Sequence, residues 1–170
     1  MTTVNFKGNP IAIKGALPAL GTAAPDFTFV KSDLSESKLS DYGHLIKVLI
    51  AVPSLDTGVC NAETRKFNEL LSPKKGVVGI VISMDLPFAM KRFCETEGVE
   101  NIVTGSDFRY SAFVSQYNTV MTEGPLKGLS SRAVIIVDQN NLIQYVELVP
   151  EVTTAPNYEQ VVAKVDQLLA

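Results

Sequence analysis

Tryptophan is absent from the 170 residues, histidine occurs once and cysteine twice. The lone His44 and the two thiols, Cys60 and Cys94, are too few ligands for a structural zinc site. Two cysteines also cannot staple a secreted scaffold of this length. Basic charge is not in excess: 15 Lys and Arg face 18 Asp and Glu, the net charge is −3, and no Lys/Arg run exceeds two. Nothing there draws a phosphate backbone from a distance, so no nucleic-acid partner is expected. Long apolar stretches are missing too. The longest, Val48 to Pro53, has six residues, against about 20 for a bilayer-spanning helix, so no membrane association is expected. Met1 to Lys7 lacks a basic segment followed by an apolar one, which argues against a secretory leader and for a cytoplasmic protein.

What is present is an ordinary globular balance, 46% hydrophobic and 19% charged, enough apolar surface to offset the entropy of ordering the chain. No repeat, low-complexity tract or long linker divides it, so residues 1–170 are read as a single domain. Val4-Asn5-Phe6-Lys7 and Ile11-Ala12-Ile13-Lys14 alternate with period two about Gly8-Asn9-Pro10, the pattern of a β-hairpin. A loop rich in Gly, Pro and Ala follows as far as Phe27. Leu45 to Val52 and Gly76 to Ser83 are nearly continuous in apolar residues, as strands covered on both faces are. Between them, Cys60, Thr64, Phe67 and Leu71 are spaced four, three and four apart, one face of a helix.

A second helix is read over Leu86 to Glu97, with Pro87 in its first turn and Gly98 ending it. Leu86, Met90 and Phe93 form its buried stripe, and Phe88 is also read as core. Asn101 to Thr104 reads as a short strand and Phe108 to Tyr117 as a short helix. Ala133 to Asp138 and Leu142 to Val149 form a hairpin about Asp138-Gln139-Asn140-Asn141, and Asn157 to Leu169 closes the chain as an amphipathic helix. Parallel βαβ units followed by an antiparallel hairpin and a helix give an α/β fold, a mixed central sheet with helices on both faces. A thioredoxin-like arrangement has this order.

Cys60 stands where a strand ends and a helix begins. The first turn of a helix offers unpaired N–H groups and the positive end of the dipole, and both stabilise a thiolate. The alternative is a small hydrophobe on the core stripe. Magnitudes matter here: a thiol of pKa ~8.5 is roughly 3% thiolate at pH 7, so full ionisation gains only about 30-fold. Fast attack on a peroxide also needs donors that polarise the O–O bond. Thr57, three residues earlier, is close enough for its hydroxyl to face the sulfur, or it is simply a helix cap. Arg132 leads into the buried strand Ala133 to Val137 and by itself reads as a surface ion pair. Cys94, by itself, reads as a packed core thiol.

Pro53, Thr57 and Cys60 together form P-x-x-x-T-x-x-C, and the segment Pro53-Ser54-Leu55-Asp56-Thr57-Gly58-Val59-Cys60 resembles the peroxiredoxins in their bacterial thiol peroxidase branch. The resemblance runs through Ala24-Pro25-Asp26-Phe27, Arg65-Lys66-Phe67-Asn68, Asp85-Leu86-Pro87-Phe88-Ala89, Gly124-Pro125-Leu126-Lys127-Gly128-Leu129 and Ser131-Arg132-Ala133. It implies a thioredoxin-like fold and a peroxidase that needs no metal, haem or flavin. Cys60 is then the peroxidatic cysteine, oxidised to a sulfenic acid. Thr57 binds thiolate and peroxide, Pro53 shields the sulfenic acid, and Arg132 holds the thiolate charge. Cys94 is the resolving cysteine that closes a Cys60–Cys94 disulfide. The resemblance also implies hydrogen peroxide and alkyl hydroperoxides as substrates, thioredoxin as reductant, and a homodimer. Helix axes pack about 8–10 Å apart while bridged Cα atoms lie about 5.5–6 Å apart, so one of the two cysteine-bearing segments is expected to unwind during turnover. The rival activities are a general disulfide oxidoreductase, which the missing C-x-x-C pair disfavours, and a peroxide-oxidised sensor or holdase.

Overall fold

A computed structural model describes residues 2–170. Strands β1 (Thr3–Phe6) and β2 (Asn9–Ala12) pair as an antiparallel hairpin. Its turn is Lys7-Gly8, not Gly8-Asn9-Pro10. Asn9 and Pro10 already pair with Phe6 and Asn5, and both Lys7 (φ 52°) and Gly8 (φ 83°) are left-handed. That is the two-residue turn whose twist matches the flanking strands. Pro10 is tolerated because this small sheet has only two strands.

The main sheet has seven strands. Strand β3 (Thr28–Val30) and β4 (Glu36–Lys38) form one edge, followed by β7 (Ile102–Ser106), β6 (Val77–Ser83), β5 (Ile46–Ala51), β8 (Ala133–Val137) and β9 (Ile143–Leu148) at the other. Strands β5, β6 and β7 run parallel, while β3, β8 and β9 are antiparallel to their neighbours. The β3–β4 pair was not legible from sequence: each has three residues, and β4 is the polar edge segment Glu-Ser-Lys.

Helices α1 (Gly58–Leu71), α2 (Pro87–Glu97) and α4 (Tyr158–Leu169) cover one face through Cys60, Phe67, Met90, Phe93, Val161 and Val165. The other face buries Phe27, Phe29, Phe113 and Tyr117, with α3 (Ala112–Gln116) among its elements. The helix expected over Phe108 to Tyr117 is thus reduced to its second half. Chain entry at Ser111 is left-handed (φ 48°), and the Asp107 carboxylate accepts from the N–H groups of Phe113 and Val114 at 3.0 Å each, satisfying the first-turn donors. Phe108 and Tyr110 are left exposed outside it.

Helix α2 ends as expected, with Pro87 at its start and Gly98 left-handed (φ 67°) at its close. Its stripe is narrower than expected. Met90 and Phe93 are buried, but Leu86 and Phe88 are 46% and 66% exposed. Leu86 is the N-cap and precedes the helical turn that would have aimed it inward. Among the described residues no helix is long and apolar enough to cross a membrane.

Candidate active site

Strand β5 is buried from end to end and delivers the chain into Pro53, itself buried. The loop then turns so that Thr57, in extended conformation (φ −84°, ψ 146°), becomes the N-cap of α1. Helix α1 therefore begins two residues before Cys60, placing that thiol in the first turn, where backbone donors are unpaired. Cys60 is wholly buried.

Arg132 arrives from another part of the chain. It directly precedes β8, whose first residue, Ala133, pairs with Ala51 at the end of β5. That register carries Arg132 to the level of the loop after β5. Arg132 is 1% exposed, and its guanidinium contacts three groups: Nη2 donates to Cys60 Sγ at 3.2 Å, Nε to the Val152 carbonyl at 2.9 Å, and Nη1 to Glu63 Oε2. The expected surface ion pair is thus a buried one.

Glu63 is the residue that sequence reasoning missed. It follows Cys60 by three positions and is fully buried, with its Oε1 unpaired among the described residues. Burial is the main cause that pushes its carboxyl up to about 7, against the pull of Arg132, with Glu147 adding a smaller upward push. The signal was available: a carboxylate interrupting the stripe of Cys60, Thr64 and Phe67 demands a buried cation.

Among the described residues no hydrogen bond joins the Thr57 hydroxyl to the sulfur. That hydroxyl donates to the Ser54 carbonyl at 3.1 Å and accepts from the Cys60 N–H at 3.4 Å, so in this arrangement Thr57 caps α1. The hydrogen bond drawn to Cys60 Sγ comes instead from Arg132.

Pro53, Thr57 and Arg132 share the wall of a cavity of about 170 Å³ with Phe6, Gly58, Val59, Leu126, Leu129 and Val152. The wall is almost wholly apolar. Phe6 reaches it because the hairpin is anchored there: Glu151 accepts from the Lys7 N–H at 2.7 Å and the Gly8 N–H at 3.3 Å, and Asn5 exchanges backbone bonds with Pro150 and Val152.

Cys94 lies on α2, half-buried, packed against the same core cluster that holds Cys60. Both thiols are free. Burial, with the Glu95 charge second, pushes the Cys94 thiol up. His44 is exposed at the start of β5, and among the described residues no three His, Cys, Asp or Glu side chains gather as metal ligands would.

The Redoxin family matches residues 19–162. The chain belongs to this family. A protein from Leptospira interrogans named thiol peroxidase is 52% identical over 171 residues, covering 99% of this chain and all of its own. A crystal structure of a peroxiredoxin-like protein from Aquifex aeolicus is 47% identical, superposes with a TM-score of 0.93, and covers 98% of this chain and 96% of its own. A thiol peroxidase from Chromobacterium violaceum, 23% identical with a TM-score of 0.89 over 97% of this chain and 95% of its own, shares the fold.

Proposed function

We propose that Cys60 is the peroxidatic cysteine of a thiol peroxidase and Cys94 its resolving partner. The activity is thiol-dependent reduction of peroxides, in keeping with the redoxin family and with full-length relatives named for it. The observation that carries the residue assignment is the 3.2 Å contact between Arg132 Nη2 and Cys60 Sγ beside the apolar cavity. A guanidinium sealed from solvent favours the thiolate and has donors free to meet negative charge as the O–O bond breaks.

In the proposed cycle the Cys60 thiolate attacks the terminal peroxide oxygen. The S–O bond forms, the O–O bond breaks, and the departing alkoxide takes a proton to leave as alcohol or water. Pro53 roofs the sulfenic acid against water. Thr57, at the cavity wall, binds the peroxide before that attack by releasing its bond to Ser54. The Cys94 thiol displaces hydroxide from Cys60 sulfur, giving the disulfide and water. Thioredoxin reduces that disulfide. The apolar wall built by Phe6, Leu126, Leu129 and Val152 suits alkyl hydroperoxides alongside hydrogen peroxide.

The whole chain is proposed to act as one domain in the cytoplasm, as a homodimer. Leu34, Leu86, Phe88 and Phe108 are exposed, line one surface depression and support an apolar contact with a second copy.

The testing experiment mixes reduced protein with one equivalent of cumene hydroperoxide, quenches within a second, and measures intact mass after alkylation. Loss of two hydrogens with both thiols blocked is the expected result. Two free thiols would overturn the assignment.

A further inference from the structure

The carboxylate of Asp85 joins the two segments that carry the cysteines. Asp85 lies between β6 and α2, directly before the Leu86 N-cap of the Cys94 helix. Its Oδ1 accepts from the Ser54 hydroxyl at 2.8 Å, and its Oδ2 from the Leu55 N–H at 2.8 Å and the Ser83 hydroxyl at 2.6 Å. Its own N–H donates to Ser83 Oγ at 3.1 Å, and its carbonyl accepts from the Ser106 hydroxyl at 2.5 Å. One residue therefore anchors the ends of β6 and β7, the turn entering the Cys60 helix, and the first turn of the Cys94 helix.

The two thiols are free in this arrangement, and packed helix axes lie farther apart than the Cα atoms of a bridged pair, so disulfide closure is expected to need one of the two helices to give way. Unwinding the start of α1 pulls on Ser54 and Leu55. Unwinding the start of α2 pulls on Asp85 itself. We propose that Asp85 is a positioning residue, a latch whose bonds to Ser54 and Leu55 hold the reduced arrangement and set how quickly oxidised Cys60 meets Cys94. The proposal rests on the assignment of Cys60 and Cys94 as the reacting pair.

The latch divides the sulfenic acid between two fates. In one, Cys94 thiol and Cys60 sulfenic acid form the S–S bond, the S–O bond breaks, and water leaves. In the other, a second peroxide delivers an oxygen to the same sulfur, giving sulfinic acid and another alcohol. A firm latch keeps Pro53 and Thr57 in place for the first oxidation but prolongs exposure to the second.

Asp85→Asn removes the charge and replaces one acceptor oxygen with an amide that can only donate, so the Ser54 hydroxyl must turn to accept from it and the loop is held more weakly. Rapid-quench mass spectrometry of the full chain with cumene hydroperoxide separates the steps. The expected result is slower oxidation of Cys60 with disulfide closure about tenfold faster, the worth of one charge-assisted hydrogen bond. The peroxide concentration giving half sulfinic acid rises in proportion. Ser106→Ala, which loosens the anchor away from the sulfur, is expected to accelerate closure by a smaller factor and serves if Asp85→Asn does not fold. A general loss of order slows both steps, so closure that is unchanged or slower in the folded variants overturns the latch. Failure of wild-type protein to form a Cys60–Cys94 disulfide would instead overturn the cysteine assignment.

Discussion

Arg132 touches Cys60 at 3.2 Å with neither side chain open to solvent. The same guanidinium also satisfies the Val152 carbonyl and Glu63. Three acceptors in three directions need a rigid planar fork, and a lysine ammonium on a flexible stem cannot serve all three. Arg132→Lys is therefore expected to slow the first oxidation of Cys60 by about 100-fold, close to the worth of a charge-assisted hydrogen bond in a dry site. Stopped-flow mixing of reduced protein with peroxide measures it. A loss of under threefold would mean that positive charge alone, without the fork, prepares the thiolate.

Glu63 makes folding stability depend on pH with a definite sign. Its folded carboxyl titrates at about 7, above its ordinary 4.5, chiefly through burial. The native state thus holds a proton that the unfolded chain releases at lower pH. The stabilisation is full below about 4.5 and is lost as pH rises through about 7. The groups facing it are Arg132, the Cys60 thiol beyond, Glu147 and Tyr158, whose own hydroxyl burial and Glu63 push up to about 12. Glu63→Gln cannot titrate. The Tm of the wild type minus that of Glu63→Gln is expected to fall between pH 4.5 and 7.5 in thermal melts of reduced protein. A difference that stays flat across that window would show that Arg132 holds the carboxylate charged throughout.

The parts of this fold read correctly from sequence are those with strong local periodicity. The apolar runs of β5 and β6, the Pro87 and Gly98 signals around α2, and the final hairpin each specify themselves within a few residues. The β3–β4 pair escaped because three-residue edge strands carry no period. The helix over Phe108 to Tyr117 was read too long because Asp107 supplies the first-turn bonds at Phe113 and Val114, so the helix begins only at Ala112. At the site, Cys60, Pro53 and Arg132 were legible through their motifs, and Arg132 does reach Cys60. The partners of the Thr57 hydroxyl were not, since spacing alone does not choose between the backbone groups of Ser54 and Cys60 and the sulfur. Glu63 interrupts the apolar stripe of α1, a local signal, but the cation that gives the interruption its meaning stands 69 residues away.

Thr57 carries a cap that is separable from chemistry. Its hydroxyl accepts from the Cys60 N–H and donates to Ser54. Losing an N-cap hydroxyl costs about 1 kcal/mol, which in a chain of this size lowers Tm by roughly 2–4 °C. Thr57→Val is expected to show that modest shift together with a fall in peroxide rate of about 100-fold, because the proposed peroxide donor is gone. Thr57→Ser is expected to recover most of both. Should Thr57→Val melt a few degrees lower yet keep its rate, the residue is a cap and nothing more.

The recycling step has a direction set by burial. Cys94 is half-buried and Cys60 is fully buried against Arg132. An incoming thiolate reaches the more open sulfur first. Attack there expels the Cys60 sulfur towards the guanidinium, whereas attack on Cys60 would expel Cys94, whose thiol burial and Glu95 push up. Mixed disulfides with the reductant are therefore expected on Cys94. A thioredoxin whose second active-site cysteine is replaced by serine cannot complete the exchange and traps the intermediate with the oxidised protein. Peptide mapping of that adduct locates the bond. Predominant linkage to Cys60 would mean that the oxidised form turns its buried sulfur outward, and that the unwinding segment is the first turn of α1 and not α2.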